Sequence, residues 1–120
     1  MTVYEDINSC EDFGIQAGTY TEMFFECFDT EGEPIYLEHA MKMGCTFSLL
    51  EDDKNPVIVI DGEVDNTSTK GNTMVIKILS EHTRLFDNCV LYYRPFIILT
   101  NNCEYRWQGR IVVGNTTPFV

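Results

Sequence analysis

Large apolar and small or polar positions alternate with a period of two along much of this chain. Met41, Met43, Cys45, Phe47 and Leu49 are large and apolar, whereas Ala40, Lys42, Gly44, Thr46 and Ser48 between them are small or polar. Successive side chains of an extended strand point to opposite faces, so the pattern predicts a strand with one buried face. Met23, Phe25 and Cys27 alternate in the same way with Glu22, Phe24 and Glu26. So do Cys103, Tyr105, Trp107, Gly109, Ile111 and Val113 with Glu104, Arg106, Gln108, Arg110 and Val112.

Pro56 to Asp61, Thr73 to Leu79 and Cys89 to Thr100 are rich in β-branched and aromatic residues and predict further strands. Clusters of acidic residues, Asn, Gly and Pro at 29–32, 51–56 and 66–72 predict turns. Asn101-Asn102 predicts a tight hairpin, because Asn tolerates a positive φ. Helical spacing is confined to Ser80–Phe86, where Ser80 is placed to cap a single turn holding Thr83 and Arg84. About seven to eight short strands with such punctuation predict an all-β sandwich or barrel of antiparallel strands. Residues 13–113 form the expected domain, 1–12 an N-terminal arm and 114–120 a polar tail.

Composition narrows the function. A chain of 120 residues, 44% of them hydrophobic, supports one core and one domain. Nineteen acidic against 8 basic residues give a net charge of -11, which repels a phosphate backbone or an anionic lipid surface. Neither nucleic acid nor membrane is expected as a partner. Met1 to Cys10 has no basic start and no apolar stretch, so no secretory leader is expected. Apolar runs such as Val57–Ile60 fall far short of the roughly 20 residues a membrane helix needs.

Cys10, Cys27, Cys45, Cys89 and Cys103 are odd in number and irregular in spacing. They are expected to be reduced thiols, several in the core, in a protein made in a reducing cytoplasm. Neither His39 nor His82 stands at zinc-ligand spacing from a cysteine pair. No nucleophile elbow and no glycine-rich phosphate loop occurs. Asp61, Glu63 and Asp65 alternate, which would put three carboxylates on one side of an extended segment, a conceivable calcium cluster. The EF-hand template fails there, with Asn66 where Gly is needed and Asn72 where Glu is needed. Asp29–Glu33 fails the same test. Solvated turn carboxylates are the favoured account, and no catalytic residue, metal or cofactor is expected. The patterns Asn66-Thr-Ser68 and Asn115-Thr-Thr117 fit glycosylation, without consequence if no leader is present. Trp107, Tyr92, Tyr93, Tyr105 and Phe96 would suit an aromatic binding surface, although core packing is expected for at least half of them.

The ordered segments carry a resemblance. Gly18-Thr-Tyr20 leads into an apolar strand, and Asp29-Thr-Glu-Gly-Glu-Pro-Ile-Tyr-Leu37 follows. A long strand then ends in Phe47-Ser-Leu49, before an acidic loop and Pro56. Met74-Val-Ile-Lys-Ile-Leu-Ser80 precedes Thr83 and Leu85, and Tyr92-Tyr93 precedes Tyr105-Arg-Trp-Gln-Gly-Arg-Ile-Val-Val113. Over roughly residues 13 to 113 this resembles the N-terminal domain of the bacteriophage baseplate upper protein and similar domains of tailed-phage structural proteins. The resemblance implies an immunoglobulin-like β-sandwich in a virion, made in a bacterial cytoplasm and used for attachment and oligomerisation, not catalysis. Its implied partners are other virion proteins or symmetric copies of itself. The phage protein continues into helices and a receptor-binding-protein module; a chain of this length would instead decorate a capsid, occupy a collar or join tail components.

Such a role needs an edge or an end that a neighbour can grip. The expected contact residues are Tyr4 and Ile7 in the arm, Pro34, Ile35, Tyr36 and Leu37 on an edge segment, and Pro118, Phe119 and Val120 in the tail. Two alternatives compete. One is a carbohydrate- or ligand-binding sandwich using Trp107 and the tyrosines, which would show coplanar aromatic faces open to water. The other is a small enzyme centred on His82 or on Asp61 to Asp65, which would need a concave pocket joining those groups.

Overall fold

The computed structural model describes residues 2–51, 55–67 and 70–114. Two sheets face each other. The first runs β1 (Thr2–Asp6), β3 (Thr21–Glu26), β7 (Thr73–Ile78), β6 (Glu63–Val64) in spatial order. The second runs β2 (Phe13–Gln16), β10 (Gly109–Gly114), β8 (Cys89–Leu99), β4 (Ala40–Ser48), β5 (Ile58–Asp61). A short β9 (Glu104–Arg106) pairs with β8 on the side β10 occupies further along. The runs β3-β7-β6 and β10-β8-β4-β5 reproduce the B-E-D and G-F-C-C′ orders of an immunoglobulin-type sandwich.

The strands were expected to be antiparallel throughout, and two pairs are not. β1 runs parallel to β3, and β2 parallel to β10. Neither pair is joined by a hairpin, which would impose the antiparallel sense. The chain supplies β1 to one sheet, crosses through residues 7–12, and supplies β2 to the edge of the other. Residues 2–12 are therefore not a free arm. Ile7 donates its N–H to the Glu26 carbonyl (2.9 Å), and its side chain is fully buried.

Inward-facing residues of the two sheets make one core. Met23, Phe25, Met74, Ile76 and Ile78 from the first meet Ile15, Cys45, Phe47, Leu91, Tyr93, Ile97, Ile111 and Val113 from the second. Phe25 and Tyr93 span the layers with ring centroids 6.1 Å apart. The alternation in β3 holds as predicted. In β4 it holds for Cys45 and Phe47, while a bulge between Ala40 and Lys42 leaves Met41 exposed. Leu49 lies beyond the strand end and is exposed too.

The predicted strand over 103–113 keeps its phase from Tyr105 onward, leaves Cys103 exposed before its start, and breaks into β9 and β10. The break at Trp107-Gln108 faces Pro95 of β8, whose carbonyl accepts the Trp107 N–H (3.1 Å). Proline has no N–H to return on that side, so the ladder lapses there. The hairpin between β8 and β9 has a three-residue loop, closed by the Leu99 N–H on the Cys103 carbonyl (2.9 Å), with Asn102 at φ 66°. The helical turn α1 is shorter than predicted, Ser80–Thr83, with Leu79 at the cap and Ser80 inside. Buried Thr83 ties it to the body by accepting the Gly18 N–H on Oγ1 (2.9 Å). The segment Pro34–Leu37 is not a strand: Pro34 bridges Phe28, and a 3-10 turn begins at Leu37.

Candidate functional site

Strand registers fix which side chains each sheet turns away from the core, though two of those, Val75 and Phe96, are themselves covered by their neighbours. On the outer face of the first sheet, Tyr4, Phe24, Val75 and Glu63 form one cross-strand row. Tyr4 is 76% exposed and stacks on Phe24 with centroids 4.9 Å apart. Flanking rows hold Glu22 beside Lys77, and Asp6 beside Glu26 and Thr73. Lys77 is held by Glu63 at 2.9 Å and Lys70 stands beside the Tyr4–Phe24 stack, so the carboxylates outnumber the two ammonium groups. This face is acidic with an aromatic centre.

The outer face of the second sheet mixes cations with carboxylates, Asp12, Glu51, Asp61 and Glu104 standing among its basic residues. Its rows read Gly14, Val112, Val90; then Arg110, Tyr92, Ser48; then Arg94, Thr46, Val59; then Arg106, Phe96, Gly44, Asp61; then Glu104, Ile98, Lys42. Four of the chain's 8 basic residues stand here: Lys42, Arg94, Arg106 and Arg110. The Arg94 guanidinium donates to Gln108 Oε1 (2.9 Å), Ser48 Oγ (3.3 Å) and the Leu50 carbonyl (3.3 Å), which explains why Ser48 is buried. Arg106 lies over the Phe96 ring, 5.7 Å from its centroid, and also pairs with Glu104. Arg110 pairs with Asp12 at 2.5 Å, which lowers the Asp12 pKa and raises that of the guanidinium. Val59, Val112 and Val90 are exposed between these cations.

The alternation Arg106, Gln108, Arg110 already set cations opposite the core in the sequence. Gathering them with Arg94 and Lys42 required the pairing of four strands, which no local pattern discloses.

The residues expected to make contacts divide sharply. Tyr4 and Tyr36 are exposed, and Pro34 is half-buried. Ile7, Ile35 and Leu37 belong to the core, because each is the large apolar residue facing inward where its segment meets the sandwich. They are removed from the contact set. Pro118, Phe119 and Val120 lie outside the described residues.

The groups weighed for chemistry do not converge. His82 Nδ1 accepts the Leu79 N–H (2.9 Å) and serves the helical turn, and exposed His39 lies 3.5 Å from Glu38. The chain passes from one sheet to the other at Gly62, so Asp61 and Glu63 lie on different sheets. Asp65 Oδ1 accepts from the Thr67 N–H (3.0 Å) and hydroxyl (2.7 Å). Among the described residues no cluster of three or more ligating side chains is placed to hold a metal. The aromatic residues are divided as well. Tyr93, Tyr105 and Trp107 pack inward, with Tyr105 stacked on Trp107 at 6.0 Å, whereas Tyr92 and Phe96 face outward.

One buried polar cluster links the N-terminal segment to the core. The Tyr93 hydroxyl lies 2.8 Å from the Glu11 carbonyl and 3.0 Å from Glu5 Oε2. A phenol has one proton to donate; when it goes to Glu11, a protonated Glu5 completes the chain by donating to the phenolic oxygen. Burial raises the Glu5 pKa, against the lowering effect of the Tyr93 hydrogen bond, and Glu11 and Asp12 add to the rise. A carboxyl group raised in the folded state contributes stability that is present below its unfolded pKa and lost as pH rises through the folded one. Glu5→Gln is therefore expected to unfold at a higher temperature than wild type at about pH 7.5 and to lose that advantage at about pH 4. The gain stays within about 1 kcal/mol because the carboxyl is only half-buried and partly screened. Thermal unfolding of both proteins at the two pH values checks this; an equal difference at both rejects it.

The five cysteines are unpaired. Burial pushes Cys10 and Cys27 up to about 12 and Cys45 well above its ordinary value, so these thiols hold little thiolate at neutral pH. Iodoacetamide is expected to label exposed Cys103 and half-buried Cys89 first, and Cys27 and Cys45 only after unfolding. A mass-spectrometric time course with and without urea checks the order. No family model and no curated protein matches this chain.

Proposed function

We propose that this chain is a non-enzymatic structural protein of a bacteriophage particle. In this role the sandwich is a rigid body that decorates or connects head, collar or tail components, made in the host cytoplasm. The single observation that carries the binding role is the display of Tyr4, Phe24 and Tyr92 with Arg94, Arg106 and Arg110 on the outer faces of the two sheets. These are residue types that dominate the energy of protein–protein contacts. The phage setting rests on the ordered segments from Asp29-Thr-Glu-Gly32 to Gly109–Val113. Partners are other virion proteins or further copies. Antibody to the chain should label purified intact particles, and an electron-microscopy map should show its density in regularly repeated copies. A chain found only in the soluble lysate overturns the proposal.

A hollow of about 440 Å³ favours a second function, binding of a carbohydrate or similar ligand. It lies beside the Tyr4–Phe24 stack and is lined also by Glu26, Asp65 and Lys70, an aromatic wall with polar groups around it. Saturable binding of an oligosaccharide, abolished by Tyr4→Ala, would favour that function over the structural one.

A further inference from the structure

We propose that the hollow beside the Tyr4–Phe24 stack receives an amino sugar, a pyranose ring bearing a protonated amine. This rests on the ligand-binding function stated above for that hollow and names its ligand class. A buried acceptor carries the argument. Asn72 is only 1% exposed and lines the hollow. Its backbone carbonyl accepts the Cys27 N–H (2.8 Å), and its side-chain Nδ2 donates to the Cys27 carbonyl (3.1 Å). A carbonyl only accepts, so the side-chain amide has one permitted orientation, with Nδ2 toward Cys27 and Oδ1 turned away from it. Among the described residues nothing donates to that Oδ1. A buried acceptor is costly to leave without a donor, and a bound N–H or O–H supplies one.

The other polar groups of the lining ask for the same chemistry. Asp65 follows β6, and its Oδ1 already accepts from the Thr67 N–H and hydroxyl. Among the described residues its Oδ2 has no donor, and neither has the carboxylate of Glu26 at the end of β3. Lys70 is the one cation of the lining and forms an ion pair with neither, among the described residues. Glu5 also borders the hollow, but its carboxyl meets the Tyr93 hydroxyl. Acceptors therefore outnumber donors. An ammonium has three protons to donate, as many as the acceptor groups of Asn72, Glu26 and Asp65. A uronic acid would instead set its own carboxylate beside Glu26 and Asp65 and be repelled.

The aromatic wall accounts for the ring. Tyr4 is 76% exposed with one face on Phe24, so its other face is open. An aromatic face is electron-rich and attracts the C–H edges of a pyranose as well as an ammonium beside it. At about 440 Å³ the hollow has the size of an ordinary small-ligand site, ~300 to 1,000 Å³. The register of β1 on β3 sets Tyr4 against Phe24, and the loop from β6 to β7 carries Asp65, Lys70 and Asn72 to the same place.

Nuclear magnetic resonance titration of the full chain tests this with three probes of equal length: a glucosamine oligomer, its N-acetylated counterpart and a glucuronic acid oligomer. The glucosamine oligomer should saturably shift the Tyr4 and Phe24 backbone amides and the Asn72 side-chain amide. The N-acetylated oligomer should bind about tenfold more weakly, the loss expected for one charge-assisted hydrogen bond, and the glucuronic acid oligomer not at all. Glu26→Gln and Asp65→Asn keep the shape of the hollow while removing one charge each. Each should weaken glucosamine binding about tenfold and leave the N-acetylated probe nearly unaffected. Equal affinity for the amine and N-acetyl probes, or glucosamine binding that both variants leave intact, overturns the amine assignment and leaves the ligand-binding function standing. So does tighter binding of the glucuronic acid oligomer. Shifts that never saturate and spread over acidic residues elsewhere report attraction to the net charge of -11 alone and overturn it too. No saturable shift with any of the three probes overturns the assignment and the ligand-binding function together.

Discussion

Replacing Gly109 by alanine is expected to destabilise the sandwich by about 3 kcal/mol, the upper part of the range for forcing atoms into a packed core. A methyl group there would sit 2.3 Å from Tyr93 Cζ and 2.4 Å from its oxygen, distances no side chain tolerates. The ring cannot withdraw. It is fully buried, with Phe13 5.6 Å and Phe25 6.1 Å from its centroid, and its hydroxyl is pinned by Glu11 and Glu5. Glycine at 109 thus makes the recess the tyrosine fills. Gly14→Ala is the control: its nearest neighbour is the Val112 carbonyl at 3.7 Å, and its cost should stay within about 0.5 kcal/mol. Urea unfolding of the two variants measures the difference. The double variant Gly109→Ala, Tyr93→Leu should cost less than the sum of its parts, since the shorter side chain vacates the clash. Additive costs would show that the recess is not what holds Gly109.

Gly109 also shows how far the sequence could be read. Its phase in the 103–113 alternation put it on the inner face correctly, but only the pairing with Tyr93 discloses why no side chain is allowed there. Period two is a property of a strand by itself, so it gave the buried faces of β3, β4 and β10 before any partner was known. It could not give the bulge at Ala40–Lys42, which depends on how β4 meets β8, nor the break opposite Pro95, which depends on a residue of another strand. The same limit applies to the surface. Arg94 and Arg106 are 12 positions apart, yet both belong to one outer face only through β8 and β9, while Lys42 arrives through β4. Hydrophobic residues near the N-terminus misled for a related reason. Tyr4 and Ile7 lie three apart in one short segment, and burial separates them only once β1 has docked on β3.

That separation sets up the second large expected result. Ile7→Ala should cost about 2–5 kcal/mol, the range for truncating a buried aliphatic side chain, whereas Tyr4→Ala should cost about 1 kcal/mol at most. Ile7 is fully buried and follows directly on the five pairs that join β1 to β3, with its own N–H on the Glu26 carbonyl. Truncating it leaves a cavity in the core that the paired backbone cannot close. Tyr4 stacks on Phe24 from the solvent side, and water simply replaces it. Deleting residues 1–12 goes further, since it removes Ile7, opens the β3 edge and takes away Glu5 and Glu11, the partners of Tyr93. Such a protein should lose its cooperative unfolding transition, not merely its binding partners. A truncated protein that melts like wild type would return these residues to the status of an arm. If Ile7→Ala is costly and Tyr4→Ala is not, a defect in assembly caused by Tyr4→Ala reports on the surface alone.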